Sequence, residues 1–81
     1  MSPSYLKDLL LGGREIEFDF GTKRYVLKRV IYRSTTEFAF GQKWGEKITS
    51  SYFDDLYYRR IDGYSLSEMM NSVSGNQIYI Y

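Results

Sequence analysis

An α+β domain, with a small and largely antiparallel sheet carrying helices on one face, is predicted for this 81-residue chain by three observations. Residues 14–28 read as a β-hairpin whose register follows from charge and packing at once. The residues before Gly12, and again those between Ser50 and Val73, set apolar side chains at helical spacing behind capping residues. Residues 77–81 alternate Ile78 and Ile80 with Tyr79 and Tyr81, the period of a strand. The expected order is α-β-β-β-α-α-β: a three-strand meander, two further helices and a last strand. A chain of this length buries only about 60% of its unfolded surface and supports one core, so a single compact domain over residues 1–81 is expected.

Taken in order, Ser2 and Pro3 supply an N-cap and a proline at the first helical position, followed by Tyr5, Leu6, Leu9 and Leu10 on one stripe. Gly12-Gly13 stops this helix. The hairpin turns at Gly21-Thr22, because glycine takes the positive φ of the first central position in a two-residue type II′ turn. With Phe20 facing Lys23, Asp19 falls opposite Arg24, Phe18 opposite Tyr25, Ile16 opposite Leu27 and Glu15 opposite Lys28. One face is then apolar and the other pairs acids with bases.

The second strand runs on through Val30, Ile31 and Tyr32. The adjacent bases Lys28 and Arg29 break its alternation, which predicts a β-bulge that moves the inward set to Val30 and Tyr32. A turn follows at residues 33–35, then a third strand with Thr36, Phe38, Phe40 and Trp44 alternating, and with Gly41 and Gly45 as breaks. Ser51 is the expected cap of a second helix with Asp54 and Asp55 in its first turn, Phe53, Leu56 and Tyr57 inward, and Arg59-Arg60 at its negative end. Asp62-Gly63 turns the chain. Ser65 and Glu68 form a capping box opening a third helix with Leu66, Met69, Met70 and Val73 inward, and Gly75-Asn76 ends it.

The chain has no histidine and no cysteine, while Phe, Trp and Tyr make up 19% of it. Histidine is the usual proton shuttle near neutral pH and cysteine the most readily activated nucleophile, so most nucleophile-base pairs and most zinc or iron sites lack their commonest ligands. Ser34, Thr35, Thr36, Ser50 and Ser51 have no nucleophile-elbow context, and no glycine run matches a phosphate-binding loop. Asp54, Asp55, Asp62 and Glu68 lack the spacing of a calcium loop and read as helix-start charges. The expectation is a protein that is not an enzyme and that carries neither metal nor cofactor.

What remains is binding. The predicted core is supplied by Leu6, Leu9, Leu10, Ile16, Phe18, Leu27, Phe38, Phe40, Phe53, Leu56, Leu66, Met69, Ile78 and Ile80, which leaves Tyr32, Trp44, Tyr58, Tyr64, Tyr79 and Tyr81 as candidate partner-binding residues. Lys28, Arg29, Arg33, Arg59 and Arg60 flank these rings as charged neighbours or, in a second reading, as contacts to single-stranded nucleic acid. The plainer reading of the same charges is cross-strand and helix-end pairing. The net charge of +1 offers no field for nucleic acid or an anionic membrane, and excludes an acidic DNA mimic. A strand at residues 77–81 is either tied into the sheet or offers an edge through which two copies pair as a homodimer. The lack of cysteine fits a reducing compartment, and the run Leu9-Leu10-Leu11 is too short for a signal-peptide core or a membrane span, so a cytoplasmic protein is expected.

Leu9-Leu10, Gly12-Gly13-Arg14-Glu15-Ile16-Glu17-Phe18, Lys23-Arg24-Tyr25, Phe53-Asp54-Asp55-Leu56 and Ile61-Asp62-Gly63-Tyr64-Ser65-Leu66-Ser67-Glu68 together resemble small accessory proteins of phages and prophages of Gram-positive bacteria. The resemblance covers most of the chain, and its most specific stretch, residues 61–68, is a turn and a capped helix that transfers no active site. It implies a role in host takeover, such as the inhibition of a bacterial defence system of the CRISPR type, in the cytoplasm of the host.

Overall fold

A computed structural model describes all 81 residues, Met1–Tyr81. The elements are α1 (Pro3–Leu11), β1 (Ile16–Phe20), β2 (Lys23–Tyr32), β3 (Thr35–Gln42), β4 (Lys47–Ser50), α2 (Phe53–Tyr58), β5 (Arg60–Ile61), β6 (Tyr64–Ser65), α3 (Leu66–Ser72), a 3-10 turn (Gly75–Gln77) and β7 (Ile78–Ile80). The main sheet is antiparallel throughout, in the order β4-β3-β2-β1-β7, and β5 and β6 form a separate hairpin. The chain is an α+β domain, and β4 and the β5–β6 hairpin are additions to the predicted order.

The predicted hairpin register holds from Ile16 to Phe20: Ile16 with Leu27, Phe18 with Tyr25, Asp19 with Arg24 and Phe20 with Lys23. Glu15, expected opposite Lys28, lies before β1; its backbone bonds Tyr81 and it makes no ion pair with Lys28. Gly21 has φ 63°, the backbone that the type II′ turn requires. The inward face sends Ile16, Phe18, Tyr25, Leu27, Phe38 and Phe40 against Leu6, Leu10, Phe53, Leu56, Leu66 and Met69 of the three helices. Phe18, Tyr25 and Phe40 stack across three strands with ring centroids 5.6 to 6.2 Å apart, and α2 adds Phe53 edge-on to Phe38 at 5.4 Å. Fully burying side chains of this size stabilises by about 1.5–3 kcal/mol each.

The helices end as their residues dictate. Ser2 caps α1 by accepting from the Tyr5 amide at 3.2 Å. At its other end Gly13, at φ 86°, lets the Gly13 and Arg14 amides donate back to the Leu10 and Leu9 carbonyls, both at 3.0 Å, which is a Schellman closure. The capping box of α3 is present in both directions, with Glu68 N to Ser65 Oγ at 3.1 Å and Ser65 N to Glu68 Oε1 at 3.0 Å. Helix α2 starts one residue later than expected: Tyr52 occupies the cap, and Ser50 Oγ accepts from the Tyr52 amide at 3.1 Å in place of a Ser51 cap.

The bulge expected at Lys28-Arg29 is absent. Pairing of β2 with β3 runs unbroken from Tyr25–Gln42 to Tyr32–Thr35, so Val30 and Tyr32 lie on the outer face and Arg29 on the helix face. The physical reason is at the end of α1, whose last carbonyls have no helical partner. Arg29 Nη1 donates to the Leu11 carbonyl at 3.0 Å, so a base on the inward face is satisfied without a register change. The third strand ends at Gln42, and Trp44 sits in the β3–β4 turn instead of continuing the alternation. No helix is long and apolar enough to cross a membrane.

Candidate functional site

The six aromatic residues left over from the predicted core are all exposed, from Trp44 at 87% to Tyr79 at 37%. They do not form one patch. Tyr32 lies at the Arg33-Ser34 end of the β2–β3 ribbon, whereas Trp44 lies beyond its other end, seven residue steps or roughly 23 Å along the strands. Tyr58 packs edge-on against Tyr57 at the end of α2, with ring centroids 5.0 Å apart. The Tyr81 amide bonds the Glu15 carbonyl at 2.8 Å, extending β7 along β1 and leaving the other edge of β7 unpaired. Tyr52, outside that set, is 77% exposed and occupies the cap of α2.

All the concavities of the molecule lie at the end that carries Trp44. Three turns meet there: Gly21-Thr22 between β1 and β2, residues 43–46 between β3 and β4, and Asp62-Gly63 between β5 and β6. They enclose three open clefts of about 310, 370 and 470 Å³ that share Gln42, Asp62, Thr22, Lys23 and Gly45 among their walls. Trp44 and Tyr64 belong to this end, and Tyr79 adjoins it through Arg24.

The β3–β4 turn is tied down to an unusual degree. Lys47 Nζ donates to the carbonyls of Gln42, Lys43 and Gly45 at 2.8, 3.1 and 2.9 Å. The Lys43 amide donates to the Arg24 carbonyl at 2.9 Å and the Gly45 amide to the Gln42 carbonyl at 3.0 Å. Gly41 is required below it, because a Cβ there would stand 2.4 Å from the Glu46 carbonyl oxygen. Trp44 is therefore held on an ordered backbone with its indole in solvent and the Lys43 ammonium 5.2 Å from its ring.

Asp62-Gly63 closes the β5–β6 hairpin with φ 55° and 86°, the backbone of a type I′ turn. Asp62 Oδ2 accepts from Gln42 Nε2 at 2.8 Å and from the Tyr25 hydroxyl at 2.9 Å. These bonds, with Lys23 nearby, hold its carboxyl below the usual carboxylate range. Burial, and then the Asp62 bond, push the Tyr25 hydroxyl up to about 12. The two side chains lock the hairpin onto the sheet. Phe20 and Tyr64 meet edge to face above this lock, with centroids 5.0 Å apart at 70°.

The outer face of the sheet next to this end is a closed charge network. Glu17, only 7% exposed, is met by Lys43 Nζ at 3.0 Å and Arg24 Nη1 at 3.6 Å. Arg24 also makes a two-pronged pair with Asp19 at 2.8 and 3.1 Å and lies 4.5 Å from the centre of the Tyr79 ring. The Arg24 guanidinium holds the Asp19 carboxyl down.

The charged residues named from the sequence are dispersed. Lys28 and Arg29 point to opposite faces, Arg33 stacks on Tyr32 at 5.2 Å, Arg59 pairs with Asp55, and Arg60 bonds the Gly63 carbonyl at 2.7 Å and Glu68 at 3.4 Å. Nor do three carboxylates converge anywhere. Gln42 and Lys47, which order the site, carry no signal in the sequence, and Asp62, which reads there as a turn residue and a helix-start charge, bonds Gln42 and Tyr25 instead. Only Asp62-Gly63, a type I′ dipeptide between Ile61 and Tyr64, carried a readable signal there. No protein-family model matches the chain, and neither a curated protein nor a solved structure is detectably similar to it.

Proposed function

We propose that this protein is a non-enzymatic interaction module that occupies the surface of a protein partner through its three-turn end, with Trp44 as the anchor and Tyr64, in the wall of the neighbouring cleft, as a second contact. The observation that carries the reading is an indole 87% exposed on a turn whose three carbonyls are bound by one ammonium. A large ring held in place buries much area on binding with little further ordering, and such residues dominate interface energetics. The resemblance to phage accessory proteins makes a host protein, such as a defence-system effector, the expected partner, and inhibition by occupation the expected effect.

A single-stranded nucleic acid stacked on Trp44 is the second reading, favoured by the Lys43 ammonium over the indole and by Lys23 in the same cleft. Salt separates the two. Phosphate contacts to a single strand lose affinity as salt rises, by about sevenfold over a fourfold increase for two contacts and about 300-fold for six, whereas an aromatic interface changes little. Partner affinity that stays within about threefold over that range supports the protein interface. A steep fall overturns it.

A further inference from the structure

The largest cleft of the three-turn end, about 470 Å³, opens between Phe20, Thr22, Lys23, Asp62 and Tyr64. Its walls combine an aromatic pair with a carboxylate. Phe20 and Tyr64 stand edge to face at 70°, and Tyr64 remains half exposed at the cleft wall. The Asp62 carboxylate is fixed beside them, yet both of its internal hydrogen bonds fall on Oδ2 and it forms no ion pair.

We infer that this cleft receives an organic cation, the guanidinium of an arginine side chain on the protein partner, an inference that rests on the three-turn end being the interface. A guanidinium is planar and weakly hydrated, so it stacks on a ring while its edge donates to a carboxylate oxygen. A primary ammonium is a compact, strongly hydrated point charge with no planar face to lay on a ring, so it gains less here. Lys23 lines the same cleft on a flexible, exposed stem and competes for Asp62, which sets a sign for the test.

The test is an NMR titration of the whole protein with Nα-acetyl-arginine methylamide, with the lysine and citrulline analogues as comparators. The arginine probe is expected to shift the amide signals of Thr22, Lys23 and residues 62–65 and to bind at least about threefold more tightly than uncharged citrulline and more tightly than lysine. Asp62→Asn keeps an acceptor for the Tyr25 hydroxyl and tolerates positive φ, and should weaken the probe about fivefold, while Lys23→Gln should tighten it about twofold. Equal binding of citrulline, tighter binding of lysine, or no response to Asp62→Asn and Lys23→Gln would each overturn the inference. Trp44→Ala should leave probe binding unchanged, so a failed probe titration beside a Trp44-dependent partner removes the arginine pocket alone, and a partner indifferent to Trp44 removes the interface reading.

Discussion

The β2–β3 ribbon presents an aromatic residue near each of its ends, and the two ends are built differently. At one, Trp44 rides on a turn clamped by Lys47, braced by Arg24 and floored by Gly41. At the other, Tyr32 precedes a two-residue turn in which Arg33 and Ser34 both adopt positive φ, 50° and 66°, with no glycine, and every residue from Ile31 to Thr36 is exposed. Tyr32, 60% exposed, has the Arg33 guanidinium 5.2 Å from the centre of its ring. The difference teaches that exposure alone does not mark a site. A ring that is already ordered contributes its area on binding, whereas one on a free ribbon must first be ordered.

The largest effect is expected from Gly41→Ala, whose new methyl collides with the Glu46 carbonyl and should cost about 2–3 kcal/mol in urea unfolding while displacing the turn. A variant as stable as the parent would show that the turn yields freely. Trp44→Ala should leave stability within about 0.5 kcal/mol and remove about 2 kcal/mol or more of partner binding, against less than about 1 kcal/mol for Tyr32→Ala, read by calorimetry.

Lys47→Met should cost about 1 kcal/mol and speed amide exchange over residues 43–46, because three carbonyls lose a charged donor but regain water. At the opposite end the sign reverses. Ser34→Gly relieves a left-handed backbone and should raise stability by about 0.5–1 kcal/mol with partner binding unchanged.

The pH response is the smallest, and its groups lie at the Trp44 end and on the helices. Asp19, Asp55 and Asp62 titrate below their ordinary 3.8 and Glu68 below its ordinary 4.5, so their contribution is present above those values and is lost as pH falls through the folded ones. Tyr25 moves the other way, from 10.0 to about 12, so its contribution is complete below 10 and disappears between 10 and 12. With no histidine in the chain, thermal unfolding should give a level plateau between these two limits. A transition near pH 6 to 7 would contradict the account.

The sequence made the fold legible where local rules act alone. The β1–β2 register followed from one glycine, the alternating apolar residues and the Asp19–Arg24 pair, and the caps of α1 and α3 from Ser2 and from Ser65 with Glu68. It misled at Arg29, because the acceptor that allows a base on the inward face is the Leu11 carbonyl, eighteen residues away. Strand β4 was hidden because its four residues, Lys47–Ser50, show little alternation and are held by pairing with β3. The exposure of the candidate aromatics was legible from a core already filled by other residues. Their grouping was not, since the clamps on Trp44 and Tyr64 come from Lys47, Gln42 and Tyr25 on other elements.

The most direct test is parallel affinity capture from nuclease-treated bacterial lysate with the parent protein, Trp44→Ala and Tyr32→Ala, quantified by mass spectrometry. The account predicts one stoichiometric protein on the parent and on Tyr32→Ala that is lost on Trp44→Ala. Retention of that protein by Trp44→Ala, or its loss on Tyr32→Ala, would place the interface elsewhere and contradict the account.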